Sequence, residues 1–417
     1  MEERTYDVVI IGGGPAGMMA AISAKTHHPE ASVVIIDRTF EIGRKFLTAG
    51  AGRGNLTNSN LRNGPDGHYF GDQEKIRDVF SSFGYTDIMA FFEKLGLPMY
   101  EEKKTGKGKI FPVIDHAKTV RDMLVDYLKE MGVEVMCSTA VIDIVRADPL
   151  WHVLTEKERY QTTNVIISAG GKTYPALGSD GTGYELARSM GHTITGPVPS
   201  AVPVVCKNML SHLLQGEKAD MRATSIIAGR DVTTAVGDVM FTQYGLSGPA
   251  ILDISRDYSI RINREGKNDC RIRLSFFPSR TTEEVKEEIS KRWELHPTYP
   301  VANTLWGLLT QKVSGAVCAA ARISKETVAA RLTDSEKKTL LEVMTAFESD
   351  IVGTRGWNEA EFTAGGVDLV DIDSKTMQSM RSPHLYFAGE VLDVDGHVGG
   401  YNLSWAWATG WIAGKLK

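Results

Sequence analysis

The chain has 417 residues, 42% of them hydrophobic and 24% charged, enough to bury at least one large core and to divide into two or three domains. Its 47 Lys+Arg against 52 Asp+Glu leave a formal charge of −5. With no dense basic run to track a phosphate backbone, nucleic acid is not expected as a main partner. Cys137, Cys206, Cys270 and Cys318 stand far apart without a CxxC, which argues against a zinc ribbon or a dithiol pair and fits a reduced, cytoplasmic setting.

Tyr6 to Ile11 reads as a buried strand, and Ala16 to Ala24 as a small-residue helix able to pack tightly on a sheet. Glycines and Pro15 interrupt the apolar stretch Val8 to Ile22, and Asp7 precedes it, so neither a signal peptide nor a membrane span is expected there. Ala31 to Asp37 is a second parallel strand. From Gly43 to Asn60 the chain is crowded with Gly, Asn and Thr, the texture of a long loop over the carboxyl edge of a sheet. Amphipathic helices follow at Gln73 to Phe83, Asp87 to Leu95 and His116 to Met131, then strands at Val133 to Cys137, Ala140 to Arg146, Trp151 to Thr155 and Asn164 to Ser168.

Between residues 195 and 360 the texture changes. Strand-like stretches at Val202 to Cys206, Thr224 to Ala228, Ile251 to Ile254 and Arg271 to Phe276 precede a helical run from Thr282 to Phe347. This reads as an inserted domain, a β-barrel over about 195–280 and a helical lobe over about 281–350. Glycine-rich α/β texture returns at Thr363, so residues 1–194 and 361–417 are expected to build one discontinuous domain.

The motif that carries chemistry is Gly12-Gly13-Gly14-Pro15-Ala16-Gly17, a GxGxxG directly after a strand and opening a helix. Gly12 allows the tight turn, Gly14 lets backbone approach a pyrophosphate, and Gly17 lets helix and strand pack closely. Pro15 and Ala16 form the helix start. Asp37 ends the second strand about twenty residues on, where a carboxylate accepts from an adenosine ribose and repels a 2′-phosphate, with Arg38 beside it. A glycine turn without ligand is the competing reading. At the other end, Leu385 to Phe387 runs through Ala388 into Gly389-Glu390, and Gly399-Gly400-Tyr401-Asn402-Leu403 precedes a helix from Ser404 to Leu416. Amides there can face a flavin pyrimidine carbonyl, which favours FAD over NAD.

Gly43 to Asn58, Phe241 to Pro249, Thr363 to Val367, Ser168 to Tyr184 and the C-terminal motif together resemble the BaiN/RdsA-type NAD(P)/FAD-dependent oxidoreductases, also called aminoacetone oxidase family FAD-binding enzymes. The resemblance implies a glutathione-reductase-like, FAD-binding Rossmann domain of α/β class, interrupted by a β-barrel plus helical lobe. It also implies that Gly43, Arg44, Lys45, Gly52, Arg53, Gly54 and Asn55 line the flavin and that Val141 meets the adenine through its backbone. Ala169, Gly170, Gly389, Glu390, Gly400, Tyr401, Asn402 and Leu403 would hold the rest. One departure is chemical: the family usually has Arg-Cys-Asn where this chain has Arg53-Gly54-Asn55, so no thiolate can act at that position.

His397 and Tyr401 are the candidate proton donors, with turn capping and pocket packing as their bland alternatives. Asn55 divides between a flavin contact and loop formation. Trp405 and Trp407 read as core, and Gly178 to Gly183, lacking a preceding strand and a downstream acid, as a link to the helix Tyr184 to Met190. No second dinucleotide fold is visible, so NAD(P)H would bind transiently at the flavin. The leading expectation is NAD(P)H-driven reduction of an enone in a small-molecule substrate, which the resemblance implies to be a steroid-like 3-oxo compound such as a 3-dehydro bile acid; the alternatives are oxidation of a small aminoketone, aminoacetone, with peroxide release, and a structural flavin with the insert as a binding module for a protein or RNA partner.

Overall fold

A computed structural model describes residues 2–103 and 106–417. Two compact units result, residues 1–197 with 361–417, and Val198–Ala360. The first unit opens with β1 (Glu2–Ile11), α1 (Pro15–His27) and β2 (Val33–Ile36). Then come β3 (Thr57–Asn58), β4 (Tyr69–Phe70), α2 (Gln73–Ser82), α3 (Tyr85–Lys94), β5 (Met99–Glu101), β6 (Lys109–Pro112) and α4 (Ala117–Glu130). Strands β7 (Glu134–Met136), β8 (Val141–Ala147), β9 (Leu150–Thr155) and β10 (Glu158–Ile167) lead to α5 (Thr182–Ser189) and β11 (Ile194–Ser200).

The main sheet runs β7-β2-β1-β10-β9-β8, parallel from β7 to β10 and antiparallel at the β10-β9-β8 end. Val8, Val9 and Ile10 are fully buried, as expected of a parallel strand covered on both faces.

The second unit holds β12 (Val204–Val205), α6 (Met209–Leu213), β13 (Lys218–Ile227), β14 (Arg230–Thr242), β15 (Gly245–Ser247), α7 (Pro249–Ser259) and β16 (Cys270–Ser275). Helices α8 (Thr282–Leu295), α9 (Val301–Thr304), α10 (Gln311–Ala320) and α11 (Asp334–Thr345) precede β17 (Phe347–Asp350) and β18 (Gly353–Thr354). Its sheet is ordered β17-β16-β13-β14-β15-β12-β18. Ile251 to Ile254, expected as a strand, lies in α7. Pro249 at the first helical position is pre-set for a helix, and Ile251, Ile254, Ser255 and Tyr258 form its buried stripe.

The chain returns to the first unit with β19 (Phe362–Val367), β20 (Leu385–Phe387), β21 (Asp395–Gly396) and α12 (Tyr401–Gly414), and β20 adds to the main sheet beside β10. The two ends of the chain meet where α12 packs on α1. A Cβ on Gly410 would stand 2.3 Å from the Ala16 carbonyl oxygen, and one on Gly414 2.2 Å from that of Ala20. The helices therefore touch through bare backbone one turn apart, running the same way. Among the described residues no helix is long and apolar enough to cross a membrane.

Candidate functional site

The glycine turn after β1 is built by close approach. Gly12 has φ +102°, and a Cβ on it would lie 2.6 Å from the Ser168 carbonyl oxygen, while one on Gly17 would lie 1.9 Å from the Gly12 carbonyl oxygen. Gly14 differs: its backbone is extended, and a Cβ there would meet no protein atom within 4 Å. Gly14 is also the N-cap of α1 and supplies no side-chain cap, with Pro15 next and no acid in the first turn. The Met18 N–H bonds the Gly14 carbonyl, so the Ala16 and Gly17 amides precede the first intrahelical donor. An uncapped, acid-free helix start facing open space is what an anion requires.

Asp37 closes this turn. Its Oδ2 accepts from the Gly13 N–H at 2.7 Å, and its Oδ1 accepts from the Thr39 N–H and hydroxyl at 2.8 and 2.7 Å, leaving acceptor capacity on Oδ2. Arg38 pairs instead with Asp180 and donates to the Thr182 hydroxyl at 3.1 Å, tying β2 to the Gly178–Gly183 loop. Thr139 N–H bonds the Asp37 carbonyl at 2.9 Å, which sets buried Val141, at the start of β8, just past the end of β2.

The Gly43–Asn55 loop lies over this edge. Gly43 (φ +75°) donates its N–H to the Gly13 carbonyl and leaves no room for a side chain above Arg121, which pairs with Glu41 at 2.8 Å. Arg44 reaches the Ala176 carbonyl at 3.0 Å and covers the Phe40 ring. The Lys45 ammonium donates to Glu390 Oε2 at 2.6 Å and to the Thr173 hydroxyl at 2.5 Å, while Glu390 Oε1 accepts from the Thr363 N–H at 2.9 Å. Nearby, Glu361 is open to solvent yet hemmed in by protein. That crowding pushes its carboxyl up, against the downward pull of Lys45.

At the other end, Ser168 donates to the Gly12 carbonyl at 2.9 Å, and Ala169 and Gly170 (φ +74°) follow it. Gly389 is committed to packing: its N–H bonds the Thr409 hydroxyl, its carbonyl accepts from Trp405 Nε1, and a Cβ would lie 2.7 Å from that of Ala16. Gly400 (φ +98°) is the N-cap of α12, again without a side-chain cap. The helix begins at Tyr401, nine residues before Gly410, which faces Ala16, and so extends about 12 Å beyond the start of α1 at Pro15 at helical rise. Two uncapped helix starts thus lie at the same end of a side-by-side pair, staggered along the axis, with Glu390 and its partner Lys45 beside the same α1–α12 junction.

The sequence matches the HI0933-like protein Rossmann domain over residues 6–416. It is 32% identical over 407 residues to the 3-dehydro-bile acid delta(4,6)-reductase of Clostridium scindens, covering 97% of both chains. It is 28% identical over 410 residues to the ribosomal RNA dihydrouridine synthase of Escherichia coli, covering 98% of this chain and 97% of that one. Among solved structures, the E. coli quinol fumarate reductase superposes with a TM-score of 0.51 at 14% identity, over 100% of this chain and 70% of the other. This chain belongs to the HI0933-like family. It is an oxidoreductase of a flavoprotein family with a Rossmann-type α/β fold.

Within this HI0933-like chain, several expected residues carry internal bonds. Arg53 covers the Phe111 ring at 3.8 Å and pairs with Glu102 at 2.6 Å. Asn55 gives both amide hydrogens to carbonyls, of Thr57 and Ile110, at 3.0 Å. The Asn402 side chain clasps Gly396, accepting from its N–H at 2.9 Å and donating to its carbonyl at 3.0 Å, so any ligand contact falls to its backbone. Gly52 gives its carbonyl to the Ala117 N–H, and Gly54, at φ +81°, abuts Ala117. Leu403 is half-buried, as are Asn402 and Trp411, on a helix whose other residues are buried. Trp405 and Trp407 are both buried, the latter donating to the Leu56 carbonyl.

His397 and Tyr401 are brought together with a residue the sequence reading missed. The Tyr401 ring stacks on His68 at 4.8 Å and 16°, and its hydroxyl accepts from Asn60 Nδ2 at 3.0 Å. His397 donates its backbone N–H to the His68 carbonyl at 3.1 Å, with its ring against Phe70. Burial, then the charge of His397, pulls the His68 imidazole below its ordinary pKa. His68 lies in a loop without periodicity, and only proximity to Tyr69 and Phe70 marked it. Among the described residues no group of three or more His, Cys, Asp or Glu is arranged to hold a metal.

Proposed function

We propose that this chain binds FAD along the α1–α12 junction and adds two hydrogens across a carbon–carbon double bond conjugated to a carbonyl. The observation that carries the reading is the pair of uncapped helix starts on neighbouring parallel helices, staggered by about 12 Å along the axis. The first suits a pyrophosphate, and the second suits the negative charge that a reduced flavin pyrimidine develops. FAD held there supplies hydride to the substrate's β-carbon, and NAD(P)H is the proposed transient donor.

The protein's own groups divide the remaining work. Gly14, Ala16 and Gly17 bring backbone to the pyrophosphate, and the residual acceptor on Asp37 takes a ribose hydroxyl. Lys45 and Glu390 flank the ribityl chain as a fixed ion pair. First-turn amides of α12 face the pyrimidine, while Tyr401 and His397 present O–H and N–H groups at its edge for proton delivery. The finer division into a FAD domain and an inserted barrel with a helical lobe belongs to this proposal. It is supported by the second unit's sheet, whose two terminal strands, β17 and β18, are consecutive pieces of one segment.

The two relatives' names share one chemistry, since both a delta(4,6)-reductase acting on a 3-oxo compound and a dihydrouridine synthase saturate a double bond next to a carbonyl. The greater identity to the bile acid reductase favours a steroid-like enone. Uridine in RNA is the second reading, favoured by the dihydrouridine synthase relative.

Anaerobic stopped-flow absorbance of the FAD-loaded protein tests the proposal. Bleaching by NADH or NADPH, followed by reoxidation faster with a steroid enone than with oxygen, is expected. Reoxidation by a uridine-containing RNA alone would select the second reading. Bleaching only by aminoacetone, with peroxide on aeration, would overturn both in favour of an amine oxidase. No bleaching by any donor would point to a structural flavin.

A further inference from the structure

Three consecutive carbonyls lead into α12, and each is held by a buried donor. The Gly399 carbonyl accepts from Asn58 Nδ2 of β3 at 2.9 Å. The Gly400 carbonyl accepts from the Ser404 N–H at 3.0 Å and from the Ser404 hydroxyl at 2.9 Å, and that hydroxyl lies 2.7 Å from Thr57 Oγ1. The Tyr401 carbonyl accepts from the Tyr69 hydroxyl of β4 at 2.8 Å. Asn58, Thr57 and Ser404 are fully buried, and Tyr69 nearly so.

Of the three, the Gly399 carbonyl lies outside the helix, where the backbone ladder supplies no donor, and Asn58 takes that place. The carboxamide is itself fixed. Its other N–H donates to the Lys107 carbonyl at 2.9 Å, and its Oδ1 accepts from the Asn60 N–H at 3.0 Å, so its nitrogen and oxygen cannot exchange places. In a trans peptide the N–H lies opposite the C=O. With the Gly399 carbonyl on Asn58, the Gly400 N–H therefore points away from β3. The local backbone alone would not choose that orientation, because Gly399 (φ +139°) and Gly400 (φ +98°) flank the peptide without a Cβ on either side.

We propose that Asn58 is a positioning residue for the flavin: it holds the Gly399–Gly400 peptide with an N–H rather than a carbonyl oxygen toward the pyrimidine, and so raises the reduction potential of bound FAD. This rests on the FAD placement above and assumes nothing about the substrate. A carbonyl oxygen turned to the pyrimidine would oppose the negative charge that develops there on reduction, so the orientation of this one peptide acts mainly on the reduced form. Without Asn58 the Gly399 carbonyl is a buried acceptor lacking a donor, and turning the peptide over relieves that cost at the flavin's expense.

The test is the two-electron potential of FAD bound to the full chain, measured by anaerobic equilibration with a reference dye, alongside titration of the protein with oxidised FAD. In Asn58→Leu, which keeps the branching but removes the donor, the ratio of reduced to oxidised FAD affinity should fall at least tenfold, lowering the potential by about 30 mV or more. Tyr69→Phe is the control, since the Tyr401 carbonyl lies inside the helix and keeps its backbone donor. A weakening of both redox forms alike, with the potential unchanged in Asn58→Leu, would make Asn58 a purely structural residue and overturn the proposal while leaving FAD binding in place. A fall in Tyr69→Phe as large as that in Asn58→Leu also overturns it, because general loosening of the turn would then account for both. Should Asn58→Leu not fold, a crystal structure of the wild-type FAD complex decides: the Gly400 N–H should lie within hydrogen-bond reach of the pyrimidine, and a Gly399 carbonyl facing the flavin refutes the assignment. Wild-type protein that binds no FAD overturns the cofactor reading and this proposal with it.

Discussion

Gly14→Ala separates ligand from fold more sharply than any other change in the glycine turn. In the protein alone the new methyl meets nothing within 4 Å, and the extended backbone at φ −74° accepts alanine without strain. Lower chain entropy in the unfolded state contributes roughly 0.4–1 kcal/mol, and the poorer N-cap costs a similar amount, so stability should stay within about 1 kcal/mol of wild type. Gly12→Ala and Gly17→Ala are different, because their methyls would stand 2.6 and 1.9 Å from carbonyl oxygens. Overpacking of that kind costs roughly 1–3 kcal/mol, and the left-handed backbone of Gly12 adds about 1–2. If the pyrophosphate lies against Gly14, the same methyl that is harmless in the free protein collides with phosphate oxygens. A clash of about 1.5–3 kcal/mol then weakens FAD roughly tenfold to a hundredfold. Thermal melts of flavin-free protein followed by circular dichroism, and FAD titration by fluorescence quenching, read the two quantities separately. Gly14→Ala binding FAD within twofold of wild type would refute the placement of the pyrophosphate.

Two further perturbations address the Lys45–Glu390 cluster and the core. Lys45→Met leaves Glu390 with only the Thr363 N–H and a weak Thr173 contact; both side chains are about four-fifths shielded, so about 1–3 kcal/mol should be lost in urea unfolding, less in the Lys45→Met/Glu390→Gln pair. A loss in the double variant equal to the sum of the Lys45→Met and Glu390→Gln losses would show that the two groups do not interact. Burial holds the His192 imidazole below its ordinary pKa. The unfolded chain therefore takes up a proton that the folded one resists, and stability contributed by this group is present above the unfolded value of about 6.5 and lost as pH falls toward the lower folded value. Urea midpoints at pH 7.5 and 5.5 should fall less in His192→Gln than in wild type, and parallel falls would remove His192 from the account.

The β1-α1-β2 unit was legible because three signals agreed locally: a continuous apolar run, glycines at fixed spacing, and an acid at the end of the next strand. The onset of α12 was less so. A helix was expected from Ser404, yet Gly400 in the left-handed conformation caps it and Tyr401 begins it, so the residues assigned to cofactor contact form its first turn. Ile251 to Ile254 looked like a strand because four residues cannot distinguish a period of 2 from one of 3.6, and the deciding signal was Pro249 two positions upstream. The Lys45–Glu390 pair joins residues 345 apart, and the β4–β21 ribbon joins two-residue strands more than 300 apart in sequence. Neither leaves a local pattern, which is why His68 was invisible beside His397.

Gly54 is where sequence and backbone argue together. Its φ of +81° is one that side chains rarely adopt, and an added Cβ would point at α4, 3.2 Å from the Ala117 Cα. That backbone does not suit a cysteine. Strain of about 1–2 kcal/mol should accompany both Gly54→Ala and Gly54→Cys, and the thiol, wedged against Ala117, should stay away from the His397 side of the site. In a His397→Gln background, Gly54→Cys is then expected to behave as Gly54→Ala does, with no recovery of enone turnover. Recovery by cysteine but not alanine would mean that the loop re-forms around the thiol and that proton delivery is as open to residue 54 as to His397, which would make His397 one solution among several rather than a consequence of this fold.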